Sequence, residues 1–375
     1  MRFESGCSLA AEGRRGHQSV ACSPHHYKEK GTHMILFVAL LFLIALYQCK
    51  PKIGKGFYKD YASRDQSRAI NGICIMLILL SHTFAKVAPA DVLDEVYEPM
   101  RIFLGQFVVV PFLFYSGYGM MESLGKKPGY LKSFPKKRFL KIFLEFSLIT
   151  VIYIGMHLLL QSGYSVPYMF LSFTGITSIG NGGWFILSTF FFYAVIILWF
   201  HIFRRKKLLA VLGVTASLVA LMLVEVLLEF PTYYYNIVIF FAVGMFYSLL
   251  KDRFDRIVMK NDLVWVSVFA VSVLGFAFLK RGMSASALFY PLWCGFGMLA
   301  ILCLTMKVRI GNKALIWFGT TTFYNFTLQG IPQILFTKYL SNNYLIYVMV
   351  IAVALLLTYG ADKAFRTYER YISKR

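Results

Sequence analysis

Long apolar stretches recur along the whole chain, and nothing else in the sequence limits its possible folds as strongly. They fall at 34–49, 69–87, 102–122, 139–160, 183–203, 208–228, 234–250, 263–279, 286–306, 314–337 and 342–361. Each approaches the roughly 20 residues that a helix needs to cross the hydrocarbon of a bilayer. A backbone in lipid must satisfy its own N–H and C=O groups, and a helix does so within one segment. The spacing predicts an all-α polytopic membrane protein with about eleven transmembrane helices. Only 15% of the residues are charged, against about 25% in an ordinary soluble domain.

The charges give the expected orientation. There are 39 Lys and Arg against 18 Asp and Glu, a net charge of +21. In a soluble protein that excess would suggest nucleic acid. Here the basic residues cluster in alternate short connections, at 50–68, 123–138, 204–207, 251–262 and 307–313, and again after Lys363. The intervening connections are acidic or nearly neutral; 88–101 holds Asp91, Asp94, Glu95 and Glu98. Basic loops stay on the cytoplasmic side of a membrane. The expected placement is therefore a cell (inner, cytoplasmic) membrane, with the N-terminus outside and the C-terminus cytoplasmic. The partners expected of the charge are anionic lipid headgroups and not nucleic acid.

Residues 1–33 are polar and aperiodic and hold four of the seven histidines, namely His17, His25, His26 and His33. They read as a disordered tail or as sequence upstream of a start at Met34. Residues 34–49 read as an extra N-terminal membrane helix, and 50–67 as a basic cytoplasmic linker. The six cysteines, Cys7, Cys22, Cys49, Cys74, Cys294 and Cys303, have no metal-ligand or disulfide spacing, so no metal site is expected.

Ionisable residues inside apolar stretches are expensive and point to function by default. His82 is the clearest example, near the far end of "RAINGICIMLILLSHTF". It lies 14 residues beyond Arg68, roughly 21 Å along a helix. On the expected topology that puts His82 in the outer half of the membrane and Arg68 among the inner headgroups. A neutral ring bonded to a neighbouring helix is the competing structural reading. His157 and His201 lie near span ends, where a structural role is favoured. Glu145 sits four residues after Lys141 on one helix face, and the two either neutralise each other or flank a polar cavity. "KSFPKKRFLK" (132–141) is dense in cations. It suits lipid headgroups or a phosphate-rich ligand equally well. "NGGW" (181–184) starts a span at Trp184, with two glycines that permit close backbone approach.

Several of these segments, taken in order, resemble the integral-membrane acyltransferase 3 family. "RAINGICIMLILLSHTF" is similar to the family's opening helix, which ends in its signature histidine, here His82. "VVPFLFYSGYGM" (109–120) is similar to the next helix, with Ser116 at its Ser-Gly-aromatic turn. "FPKKRFLKIF" and "NGGWFILSTFFFY" resemble the basic entry and the Trp-Phe-Leu segment that follow. The likeness covers roughly 68–370, which would form a ten-helix acyltransferase domain. Three positions depart from the family pattern. Asn71 stands where a basic residue usually precedes the histidine by eleven positions, with Arg68 one turn earlier. The basic pair is Arg138 and Lys141. Gln329 replaces a late histidine.

The resemblance implies transfer of an acyl group, acetyl most commonly, from cytoplasmic acyl-CoA to a hydroxyl of an exported or surface glycan or glycolipid. His82 would act as general base or transient acyl carrier. Arg68, Lys137, Arg138 and Lys141 would bind the phosphates of the donor. Asn71, Ser116, Glu145, Trp184 and Gln329 are candidates for the cavity or for a hydroxyl relay. Acyl-CoA would be a co-substrate and not a bound cofactor, and polysaccharide-assembly proteins are conceivable partners. Two alternatives remain open: an exporter of a lipid-linked sugar or small substrate, and a non-catalytic subunit of a polysaccharide machine.

Overall fold

The computed structural model describes residues 34–52, 54, 56–87, 92–127, 129–282 and 289–373. The segment 1–33 lies outside them. The described chain is almost entirely helical. In order it forms α1 (Met34–Leu46), α2 (Arg64–Phe84), α3 (Val92–Leu104), α4 (Val110–Lys126), α5 (Tyr130–Phe134) and α6 (Lys141–Leu159). Next come α7 (Val166–Leu171), α8 (Gly183–Ile202), α9 (Lys207–Leu227), α10 (Phe240–Val258) and α11 (Asp262–Phe278). The last are α12 (Phe289–Lys307), α13 (Lys313–Thr320), α14 (Thr322–Leu328), α15 (Gly330–Tyr339) and α16 (Asn343–Ser373).

Seven helical stretches among the described residues are long and apolar enough to cross a membrane, and the bent pair α10–α11 makes an eighth. The eleven apolar stretches of the sequence thus correspond to seven or eight spans that qualify by length and composition. Helix α1 has only 13 residues, α10 and α11 meet at 119°, and 314–337 is divided among three short helices. The division has a local cause. Thr320, Thr321 and Thr322 each turn a hydroxyl back onto a carbonyl of the preceding turn, which bends helices. Pro332 then lacks the N–H that the next turn would need. Large apolar side chains such as Leu159, Leu227 and Leu263 are exposed on the outside of the bundle, where lipid is their natural solvent.

Helix α2 is the most enclosed span, 67% buried, and α16 the least at 28%. Ser63 caps α2 by accepting from the Gln66 amide at 3.4 Å, and Asp65 lies in its first turn, which favours the positive end of the helix dipole. Two glycine seams set the core. A Cβ at Gly72 would stand 2.1 Å from the Leu315 carbonyl oxygen, and one at Gly319 1.8 Å from that of Arg68, so α2 and α13 touch backbone to backbone. Gly117 and Gly244 do the same for α4 and α10. Close approach through small residues is how helices associate where lipid removes the hydrophobic drive.

The segment 50–67 is folded onto the end of the bundle where α2 begins. Strand β1 (Cys49–Pro51) pairs antiparallel with β2 (Val308–Ile310). Lys307 reaches the Gly56 carbonyl at 3.0 Å and Asp262 at 2.6 Å, while Arg309 holds Asp60. Tyr61 is buried and donates to Asp255 at 2.5 Å; burial raises its phenol above the ordinary range. Part of the acidic connection 88–101 is helical as α3. Its C-terminal carbonyls, Ile102 and Phe103, accept from Lys280, a cation where the helix dipole favours one.

Candidate active site

Helix α2 carries a polar residue at each end of one face. Asn71 and His82 are eleven residues apart, three full turns, and so lie above one another with Ile75 and Ile78 between them. His82 is exposed while Leu79, Leu80, Thr83 and Phe84 are buried. Neither ring nitrogen has a hydrogen-bond partner among the described residues. The ring lies 6.4 Å from that of Phe326. Thr83 beside it accepts from Gln333 of α15 at 3.2 Å, which fixes the last turn of α2.

Two clefts flank this turn. One is lined by Leu77, Ser81, Tyr97, Met100, Arg101, Leu104, Gly105 and Val108. The other is lined by Ile78, Val109, Phe112, Phe185, Thr322 and Phe326. Ser116 follows Phe112 by one turn and is exposed, although its neighbours Tyr115 and Gly117 are buried.

Helix α14 carries Thr322, which lines a cleft with Ile78 of α2, and Asn325, and Gln329 follows its last turn. Gln329 donates to the Phe326 carbonyl at 3.2 Å, while its Oε1 has no partner. Neither amide atom of the fully buried Asn325 is bonded, and Asn71 Oδ1 also lacks a partner. A buried polar group left unpaired costs about 1–3 kcal/mol. Such groups are where water or a ligand completes the bonding.

Trp184 joins the same wall. Its ring is edge-on to Phe326 at 6.2 Å and to Tyr233 at 5.9 Å. Gly182 makes this possible: its φ of 72° starts α8, and a Cβ there would lie 2.5 Å from the Phe326 ring.

The other end of α2 is cationic. Arg68 is 25% exposed, 3.8 Å from Asp65, and within electrostatic reach of Arg64 and Arg366. Lys141 pairs with Glu145 at 3.8 Å and with Glu369, one turn beyond Arg366 on α16. Glu145 is also hydrogen-bonded to Tyr324 of α14. Arg68, Lys141 and Glu145 therefore meet around the end of α16. Arg138 is exposed one turn before Lys141, in a π-helical stretch, Pro135–Leu140. The side chain of Lys137 lies outside the described residues. His157 is bonded to Ser162 and the Ile179 carbonyl and has a structural role. Sequence reasoning missed Asn325, Phe326 and Arg101. The three-to-four-residue spacing of polar groups in "TTTFYNFTLQG" was the available signal for the first.

These features define a multi-pass helical membrane protein whose most enclosed helix carries a basic residue near one end and an accessible histidine near the other. A family model described as an acyltransferase domain matches residues 68–361. The chain belongs to the integral-membrane acyltransferase 3 family, and membership points to membrane acyl transfer. No curated protein and no solved structure matches it.

Proposed function

We propose that the protein transfers an acyl group, acetyl in the first instance, from cytoplasmic acyl-CoA to a hydroxyl of an exported glycan or glycolipid. The orientation is the one expected from loop charge, with the Arg68 end of α2 cytoplasmic and the His82 end toward the outside, and about eleven helices in all. The observation that carries this reading is the accessible, unpartnered ring of His82 on the same enclosed helix as Arg68, with the unpaired Asn71 Oδ1 between them.

Arg68, Arg138 and Lys141 hold donor phosphates through charge-assisted hydrogen bonds. The flexible thioester arm enters a corridor past Asn71 and the α14 amides. A ring nitrogen of His82 takes the acceptor hydroxyl proton as the oxygen attacks the thioester carbonyl. The C–S bond breaks, and the departing thiolate of CoA receives that proton from the imidazolium. The Trp184 and Phe326 rings wall the acceptor side.

The test is acetyl-CoA consumption by the purified full chain with a hydroxyl acceptor. His82→Ala and His82→Gln should abolish acceptor-dependent consumption while leaving the melting temperature within a degree or two of wild type. Retained transfer in either variant removes His82 from the chemistry.

A further inference from the structure

One turn of α2 before His82, Ile78 lines the cleft where four helices meet. Val109 and Phe112 at the start of α4, Phe185 of α8, and Thr322 and Phe326 of α14 complete the lining. Residues four apart lie on one face of a helix, so the cleft is on the His82 side of α2. Phe326 joins the two. Its ring is 6.4 Å from that of His82 and 5.4 Å from that of Phe185.

Among the described residues, no charged side chain lines this cleft. Five of the six are hydrocarbon, and Thr322 turns its hydroxyl onto the Gly319 carbonyl at 3.0 Å. Ile78, Val109, Phe112 and Phe326 are buried, and walls packed in this way retreat only at a cost. The space between them admits a group about the size of one water molecule. A methyl group is of that size. A carboxylate there would be unpaired in hydrocarbon, and each further methylene would have to displace a wall.

The separation from the histidine suits the chemistry. An acceptor hydroxyl lies about 3 Å from its general base, and the carbon it attacks about 3 Å further on. The methyl on that carbon then falls roughly one helical turn, about 5.4 Å, from the imidazole, at the level of Ile78.

We infer that this cleft is the acyl subsite, which takes the methyl of an acetyl thioester between Ile78, Phe112 and Phe185 and excludes longer or carboxylated acyl groups. The inference rests on the acyl-transfer reading and adds to it the residues that select the acyl group.

The full chain in detergent is titrated by calorimetry with CoA, acetyl-CoA, butyryl-CoA and succinyl-CoA, without acceptor, and acetyl-CoA consumption with a hydroxyl acceptor is followed in parallel. Free CoA is the reference that cancels the phosphate contacts. Acetyl-CoA should bind about fourfold more tightly than CoA, the worth of one buried methyl, while butyryl-CoA and succinyl-CoA show no such gain. Ile78→Ala should pass the gain to butyryl-CoA, and Phe185→Leu should do so in part. Each comparison is a ratio within one variant, and a gain for butyryl-CoA is a result that misfolding does not produce. Equal affinity for the three acyl-CoAs, or a preference for acetyl that both variants leave unchanged, overturns the inference. His82-dependent consumption without acyl selection overturns the subsite alone. Acyl selection that Ile78→Ala shifts, without His82-dependent consumption, overturns acyl transfer and leaves the acyl subsite standing. Failure to bind any of the four overturns both.

Discussion

Replacing Gly72 with alanine tests whether the α2–α13 seam positions the site. The added methyl would stand 2.1 Å from the Leu315 carbonyl oxygen, more than 1 Å inside ordinary contact, and the obstacle is backbone that no rotamer change can move. Overpacking of this kind costs about 1–3 kcal/mol, less the roughly 0.5–1 kcal/mol that alanine gains over glycine inside a helix. The net loss of stability is therefore modest, and the geometric effect is the larger one. Helix α2 must shift by about the overlap, carrying Asn71 and His82 with it, and a misplacement near 1 Å costs roughly a hundredfold in rate. Acetyl-CoA consumption should fall by about that factor while the melting temperature drops only a few degrees. Gly119→Ala is the control, because nothing lies within 4 Å of a Cβ there; it should be neutral or slightly stabilising. Gly319→Ala strains the same seam from the other side, so the double variant should lose less than the two single losses combined. Full activity in Gly72→Ala, with an unchanged melting temperature, would refute the claim that backbone contact at this seam sets the site.

Two further outcomes follow from the charges. Arg68→Gln should raise the KM for acetyl-CoA roughly ten- to a hundredfold, the worth of a hydrogen bond to a charged group, with little change in melting temperature; its partner Asp65 is 73% exposed and such pairs add little stability. An unchanged KM would remove Arg68 from the donor site. Glu225 is 1% exposed and neither carboxylate oxygen is hydrogen-bonded, so Glu225→Gln relieves the burial of an unpaired acid. A higher melting temperature with acyl transfer intact is expected, and a lower one would show that a partner holds the carboxylate.

Much of the helical architecture was readable because lipid imposes one rule on every span, and α2 shows how far that rule goes. Its apolar run, its basic entry and the position of His82 all follow from residue type and period. The wall opposite α2 was less legible. Residues 314–337 read as one apolar stretch, yet three threonine hydroxyls and Pro332 divide it into three short helices. Arg101 lay in what read as an acidic connection. That it helps form the cleft beside Ser81 depends on α3 folding back over the end of α2, a tertiary contact that no local pattern encodes. The segment 50–67 was legible in charge but not in structure, because the partner of β1 lies more than 250 residues away at Val308–Ile310.

The amide at position 71 bears on how the corridor is loaded. A basic residue there would put a phosphate clamp three turns from His82, about 16 Å along the axis; Arg68 puts it at about 21 Å. The Gly319 seam runs against the backbone of Arg68 itself, so α2 cannot slide to recover the lost turn. The fold leaves Asn71 Oδ1, both side-chain amide atoms of Asn325 and Gln329 Oε1 unpaired. On the proposed reading, a donor arm that passes these groups must offer hydrogen bonds along its length and not only a charge at one end. The arm of acyl-CoA, with its secondary amides, meets that requirement, whereas a purely hydrocarbon tail would leave every one of those groups unsatisfied.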